Sequence, residues 1–300
     1  MPKRVLVTGA AGFIGRCALP ALIQRGYEVH AVSRRPLALE GVHWHAADLL
    51  ETAALPPLLA SIRPSHLLHC AWYAEHGKFW TSPENRRWVD CSAALMLAFR
   101  DAGGRFVAAA GSCAEYDWRD GYCDETATPL APATEYGACK NAAHVRMEEI
   151  GDAAGIGCAW GRVFHLYGPH EQPARFVASV IRSLLQGQEA ACTLGTQLRD
   201  FLHVEDVAAA FVALLDAERS GAFNLGAGRP ITLADLGRRI AGLIGRPELL
   251  KLGARPLAAD DPPILVPHIR RLTQDAKWTP RYTLDEGLRH TIGWWRRELA

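Results

Sequence analysis

The spacing of apolar positions divides the chain in two. Through the first half, short apolar runs at 5–8, 28–32, 42–45, 66–70, 105–110 and 157–163 alternate with longer stretches at 13–25, 84–102 and 136–154, where apolar residues recur at helical spacing. That alternation predicts a parallel sheet wound on both faces by crossover helices. Beyond Tyr167-Gly168-Pro169 helical patterns dominate, at 175–186, 204–216, 233–244 and 284–295. Pro256, Pro262, Pro263, Pro267 and Pro280 rule out long regular elements in what remains. The expected class is α/β: a doubly wound parallel sheet over 1–165, then a smaller C-terminal lobe over 166–300 that covers the sheet's carboxyl edge and sends some segments back to it.

Composition narrows the function. With 49% hydrophobic and 22% charged residues the 300-residue chain has the make-up of a globular protein. A net charge of +1 argues against a broadly basic nucleic-acid surface. No apolar run approaches the ~20 residues that span a bilayer, so no membrane segment is expected. Lys3-Arg4 before Val5-Leu6-Val7 mimics a leader, but Thr8, Gly9 and Gly12 interrupt it, and the segment reads as a first strand. The 8 cysteines form no CxxC pair. They read as buried thiols of a cytoplasmic protein.

Two constellations carry chemistry. Gly9, Gly12 and Gly15 lie in TGAAGFIG, between a strand and a helix. Glycines there allow a tight turn and a close approach of backbone N–H groups to a pyrophosphate, with Phe13 and Ile14 inside the same loop. The second strand ends in Ser33-Arg34-Arg35, where an NAD site usually has a carboxylate for the adenosine ribose. Guanidinium groups there suit a 2′-phosphate, so NADP(H) is the expected cofactor and NAD(H) the alternative. A solvated basic loop would look the same. Tyr136 and Lys140 form YxxxK on one helical face, and Ser112 ends the strand RFVAAAG. An ammonium near a phenol of pKa ~10 makes it a usable general acid or base. Ser112 would then hydrogen-bond the reacting oxygen.

With these residues in place the chain resembles the extended short-chain dehydrogenase/reductases: nucleotide-sugar epimerases, dehydratases and 4-ketoreductases on a Rossmann-like fold. HCAW at 69–72 resembles that family's HxAA, GSCAEY at 111–116 its SSxxVY, and RVFHLYGP at 162–169 its RxxNxYGP. RDFLHVEDVA at 199–208 resembles RDFxxVxDVA, and FNLGAG at 223–228 resembles FNxGxG. The resemblance implies cofactor contacts from Asp48, Leu49, Cys70 and Ala71, with Asp48 on the adenine amino group. It implies that Arg199 holds the substrate diphosphate, with Arg255 as a second candidate and an ion pair to Asp200 or Glu205 as the structural alternative. His165 replaces an asparagine that often contacts the nucleotide.

Dehydratases of the family carry Asp-Glu after the catalytic serine or threonine, where this chain has Cys113-Ala114, so dehydration is not expected. Cys113 is either an acid for an epimerising step or a buried thiol. The basic Ser33-Arg34-Arg35 segment favours a net NADPH-dependent reduction of a nucleotide-linked 4-keto-6-deoxyhexose. A 4-epimerase is the competitor, and a catalytically silent NADP sensor the alternative of another class. Trp72, Tyr73, Phe79, Trp80 and Trp88 would wall a substrate pocket or pack a core. The pairs His43/His45 and His66/His69 lack a third ligand, so no metal site is read. The apolar stretch SAALMLAF with the Tyr136 helix would suit the helical dimers of relatives, which makes a homodimer the expected assembly.

Overall fold

A computed structural model describes residues 3–300. The first half runs β1 (Arg4–Thr8), α1 (Gly15–Gln24), β2 (Glu28–Ser33), β3 (Val42–Ala46), α2 (Leu55–Ile62), β4 (His66–His69), α3 (Glu84–Asp101), β5 (Phe106–Ser112), β6 (Tyr122–Cys123), α4 (Glu135–Ala154) and β7 (Gly157–Val163). The second half continues with β8 (His165–Tyr167), α5 (Phe176–Leu185), β9 (Ala190–Ala191), β10 (Leu198–His203), α6 (Val204–Ala217), β11 (Gly221–Leu225), β12 (Pro230–Thr232), α7 (Leu233–Ile244), β13 (Leu250–Lys251), β14 (Ile264–Pro267), α8 (Arg270–Gln274) and α9 (Leu284–Glu298).

The main sheet has 7 strands in the order β11-β7-β5-β4-β1-β2-β3, all parallel. It is the doubly wound, Rossmann-like sheet expected. Its strand order reverses between β1 and β4, which opens a crevice at their carboxyl ends, the usual ligand position of such sheets. Alternation along β1 sorts the two faces. Val5 and Val7 pack with Leu19 of α1 and Phe211 of α6. Leu6 packs on the opposite face with Leu95, Phe99 and Met147 of α3 and α4.

The sheet is completed late in the chain. β11 supplies an edge strand from beyond residue 220 and α6 covers one face, so the boundary near 165 marks a departure from which the chain returns. Reciprocally, β6 joins the second lobe's sheet, whose order is β12-β10-β14-β6. Tyr167, Ile181, Leu236, Leu288 and Trp295 form that lobe's own core.

The SAALMLAF stretch of α3 is mostly spent inside the chain: Leu95, Met96, Ala98 and Phe99 are buried against the sheet. The outer side of α3 and α4 exposes Leu97 and Val145, among the ion pairs Arg86–Glu135 and Arg146–Asp90. The apolar face singled out in the sequence is therefore core, because the sheet's own crossover helices need it.

Candidate active site

A cleft of about 1050 Å³ runs along the carboxyl edge of the sheet and under the second lobe. At one end lies the glycine loop. Gly9 has φ of +64°, and a Cβ there would stand 2.7 Å from the amide nitrogen of Ala71. A Cβ on Gly15 would stand 2.8 Å from the Cα of Ala10. These two glycines let the turn press against the end of β4 and let α1 begin beneath it. The loop thus forms the close backbone cradle that a pyrophosphate needs, at the amino end of a helix. Gly12, Phe13, Ile14, Leu49, Cys70 and Ala71 line the same end of the cleft.

At the far side of that cradle, Ser33, Arg34 and Asp48 line the cleft, whereas Arg35 does not. The Ser33 hydroxyl donates to the Arg35 carbonyl at 2.9 Å and accepts the Arg35 N–H at 3.1 Å. Arg34 is exposed, its guanidinium 3.9 Å from the Asp48 carboxylate. Asp48 spends its other oxygen on the Leu50 N–H, at 3.1 Å. Arg35 therefore serves as a turn residue here, and Arg34 alone of the pair lines the cleft.

The triad sits at the middle. Ser112 ends β5, and its hydroxyl accepts the Ala114 N–H at 3.2 Å. Thr134 caps α4 through the Gly137 N–H at 3.1 Å, which fixes where the helix starts and so aims Tyr136 and Lys140 from its first turns at Ser112. Burial pushes the Tyr136 phenol above its ordinary value, with the Ser112 side chain as the largest opposing influence. Lys140 is 4% exposed and donates to the Ala110 carbonyl at 2.8 Å, its ammonium 3.8 Å from the centre of the Trp72 ring. Burial pulls its amine down to about 7. The ammonium is 6.0 Å from the Tyr136 ring centre, further than from the Trp72 ring.

Aromatic side chains wall the cleft around Tyr136. Trp72, Tyr73, Phe79, Trp80 and Trp88 all line the cleft, and Phe79 and Trp80 stand edge-on to Tyr136 at 4.8 and 5.7 Å. Of the two, Phe79 is buried in the core while Trp80 is exposed. Cys113 also faces the cleft, with burial pushing its thiol up to about 12, which leaves it a neutral, weak acid.

The second lobe contributes charge. Arg199 lines the cleft but is 3% exposed, its guanidinium bonded to Asp261 and to the carbonyls of Pro262 and Leu198. Its ion-pair partner is thus Asp261, and neither of the neighbours in its own motif: Asp200 turns away to accept the Ala227 and Arg229 N–H groups. His165 lines the cleft, and its Nδ1 is buried without a partner among the described residues. Burial holds that ring neutral, with its pKa near 3. Arg255 is exposed and lies outside the cleft lining, its N–H donating to the Cys192 carbonyl at 3.0 Å. The structure does not bring it to the site, because the proline-rich segment around it runs over the surface.

Sequence reasoning passed over two residues that the fold delivers to the cleft. Glu171 is 3% exposed, its Oε2 has no partner among the described residues, and burial raises its carboxyl to about 8. Arg175, the residue that caps the start of α5, lines the cleft as well. Glu171 follows YGP in a stretch without periodicity and Arg175 only opens a helical pattern, so the YGP motif is the one signal that points to either.

In the histidine pairs, His66 bonds Glu218 at 3.1 Å, His69 bonds Thr8 at 2.7 Å and His45 bonds His30 at 3.0 Å, while His43 stacks on His30. His203, Glu205 and His290 bring donor atoms within 4.8 Å of one another. However, His203 Nδ1 accepts the Glu205 N–H at 3.3 Å. A neutral ring then carries its proton on Nε2, which points at His290, so it presents no lone pair to a metal.

The family model for the NAD dependent epimerase/dehydratase family matches residues 5–226. UDP-glucuronic acid decarboxylase 1 of Xenopus tropicalis is 27% identical, over 99% of this chain and 73% of its own length. UDP-glucose 4-epimerase of Mycolicibacterium smegmatis is 27% identical, over 98% of this chain and 99% of its own. Among solved structures, MoeE5 in complex with UDP-glucose and NAD is 32% identical and superposes with a TM-score of 0.87, covering 99% of this chain and 100% of that one.

Proposed function

This chain belongs to the NAD dependent epimerase/dehydratase family, and from that premise we propose that it is a nucleotide-sugar 4-epimerase that keeps its nicotinamide cofactor bound. The observation that carries the reading is the content of the cleft: Ser112, Tyr136 and Lys140 line it, and beside them stand Cys113 and the buried Ala114 rather than a second pair of acids. Such a site can move a hydride and a proton at one carbon, and the positions directly after Ser112 offer no acid to expel water from the next.

A nicotinamide cofactor, which the glycine loop with Leu49, Cys70 and Ala71 would hold, would supply the hydride chemistry at C4. Tyr136, in its phenolate form, takes the proton of the C4 hydroxyl as the carbon is oxidised and, as the phenol it then is, gives that proton back on reduction. Ser112 donates a hydrogen bond to the same oxygen. The Lys140 ammonium, beside the ring of Trp72, holds positive charge near the reacting centre. A cleft of about 1050 Å³ leaves room for the keto sugar to present its other face.

The sequence alone favours the reductase. The order reverses here because MoeE5, at 32% identity over nearly the whole chain, is described with UDP-glucose and NAD, and epimerases recur among the relatives. The exposed Arg34 at the adenosine end keeps an NADPH-dependent 4-ketoreductase as the second reading. A silent sensor is the weakest of the three, since Tyr136 and Lys140 both stand in the cleft.

The test uses the purified protein. Denaturation should release a nicotinamide dinucleotide. UDP-glucose or UDP-glucuronate, incubated without added cofactor, should convert to its 4-epimer by NMR. Tyr136→Phe should lower that rate by ~100- to 10,000-fold. NADPH oxidation with a nucleotide-linked 4-keto-6-deoxyhexose, and no epimer from any nucleotide sugar, would establish the second reading instead.

A further inference from the structure

The segment Gly111-Ser112-Cys113-Ala114-Glu115-Tyr116 departs from the family pattern SSxxVY at two places, with glycine for the first serine and glutamate for the valine. The departures meet in space. A Cβ on Gly111 would stand 2.6 Å from Glu115 Oε1 and run into the indole nitrogen of Trp160. Only glycine leaves that room. Glu115 is fully buried, and its carboxylate accepts the Ser112 N–H at 2.7 Å, the Trp160 Nε1–H at 3.0 Å and the Arg162 Nε–H at 2.7 Å. Arg162, 1% exposed, donates onward to the Tyr116 hydroxyl at 3.0 Å, which donates to Asn224 at 2.7 Å. On the other side of the same strand end, Lys140 donates to the Ala110 carbonyl at 2.8 Å. Three consecutive residues of β5 thus hold the lysine, make room for the carboxylate and carry the serine.

A buried ion pair is an expensive way to fix a turn, and a valine would fill the space at less cost. The carboxylate adds two things valine cannot: a fixed direction for the Ser112 N–H and a negative charge behind Lys140. We infer that Glu115 is a positioning residue, which anchors Ser112 through its backbone N–H and sets the field in which Lys140 works, with Gly111, Trp160 and Arg162 forming its seat. This rests on the triad reading above. The groups around Lys140 are His69 and Cys70 at the end of β4, Trp72 beyond it, Tyr136 on its own helix, and Glu115, whose charge the paired Arg162 guanidinium partly offsets. Burial holds His69 near 3 and Cys70 near 12, and raises Tyr136, so these three are neutral at pH 7. Of the influences opposing the fall of Lys140 to about 7, the Glu115 charge is the largest.

The test compares Glu115→Gln and Glu115→Asp in the NAD-loaded protein. Lys140 is titrated by NMR, its signal assigned by its loss in Lys140→Met, alongside thermal stability and the pH dependence of turnover. Glutamine keeps an acceptor for Ser112 but removes the charge. The Lys140 midpoint should fall by about one pH unit, and the alkaline limb of kcat/KM should move down with it. Aspartate keeps the charge on a shorter stem, so the midpoint should stay while kcat falls about tenfold or more at constant KM, because the Ser112 anchor is lost. An unmoved midpoint in the glutamine variant overturns the inference, as does full kcat in the aspartate variant. If the glutamine variant does not fold, the aspartate arm decides. The NMR midpoint needs no substrate, so a wrong sugar in the function proposed above leaves that arm readable.

Discussion

Replacing Glu171 with glutamine removes a carboxyl group whose protonation is tied to folding. In the folded chain its pKa is raised from 4.5 to about 8, chiefly by burial, with Arg175 opposing. A raised carboxyl binds its proton more tightly folded than unfolded. Its contribution to stability is therefore complete below pH 4.5 and is lost as pH rises towards 8. At ~1.4 kcal/mol per unit the whole window is worth about 5 kcal/mol, of which roughly 2 kcal/mol falls between pH 6 and pH 8. Glutamine has no such proton, so the difference in unfolding free energy between variant and parent should shift by about 2 kcal/mol in the variant's favour from pH 6 to pH 8. Urea unfolding of both proteins at both pH values measures it, and every other titrating group cancels in the comparison. A difference that does not change with pH would refute the reasoning, and would mean that the Glu171 carboxyl finds water or a cation in solution.

Two further outcomes follow from the cleft. Arg34→Ala should weaken NADP(H) by roughly ten- to hundred-fold and leave NAD(H) nearly unchanged, the loss of a charge-assisted contact worth ~1.5–3 kcal/mol; equal effects on both cofactors in a binding titration would remove Arg34 from phosphate recognition. Arg199→Ala should weaken nucleoside-diphosphate binding by a similar ~1.5–3 kcal/mol while NADP(H) affinity holds, and calorimetry with both ligands would separate this from the uniform loss expected if the arginine only tethers Asp261.

The sheet and the meeting of Ser112, Tyr136 and Lys140 in one cleft are legible in the sequence because their signals are local. A strand, a glycine turn and a helix succeed one another within two dozen residues, and the 157–163 and 233–244 segments match β7 and α7 at both ends. The misses came where local signals mislead. Pro56 and Pro57 hid α2, yet they occupy its first turn, where a missing N–H costs nothing. β11 was noticed as the motif FNLGAG but not as a strand, because its partner β7 lies some sixty residues earlier. Arg255, the second candidate for the diphosphate, lies on the surface outside the cleft. Glu115 and Glu171 owe their character to what surrounds them. A glutamate in a loop reads as solvated until the fold shows it enclosed.

The polypeptide leaves the sheet after β7 and comes back to it through α6 and β11, so its two lobes are not exchangeable parts. A single join near residue 165 would give the first lobe a sheet lacking its β11 edge, with Val5, Leu19 and Val7 stripped of Phe211 and its neighbours. Recombination between relatives at that point would mate two unfinished cores. Changes of specificity in this lineage must therefore accumulate residue by residue around the cleft mouth, on the loops after β4, β5 and β8, rather than arrive as a borrowed lobe.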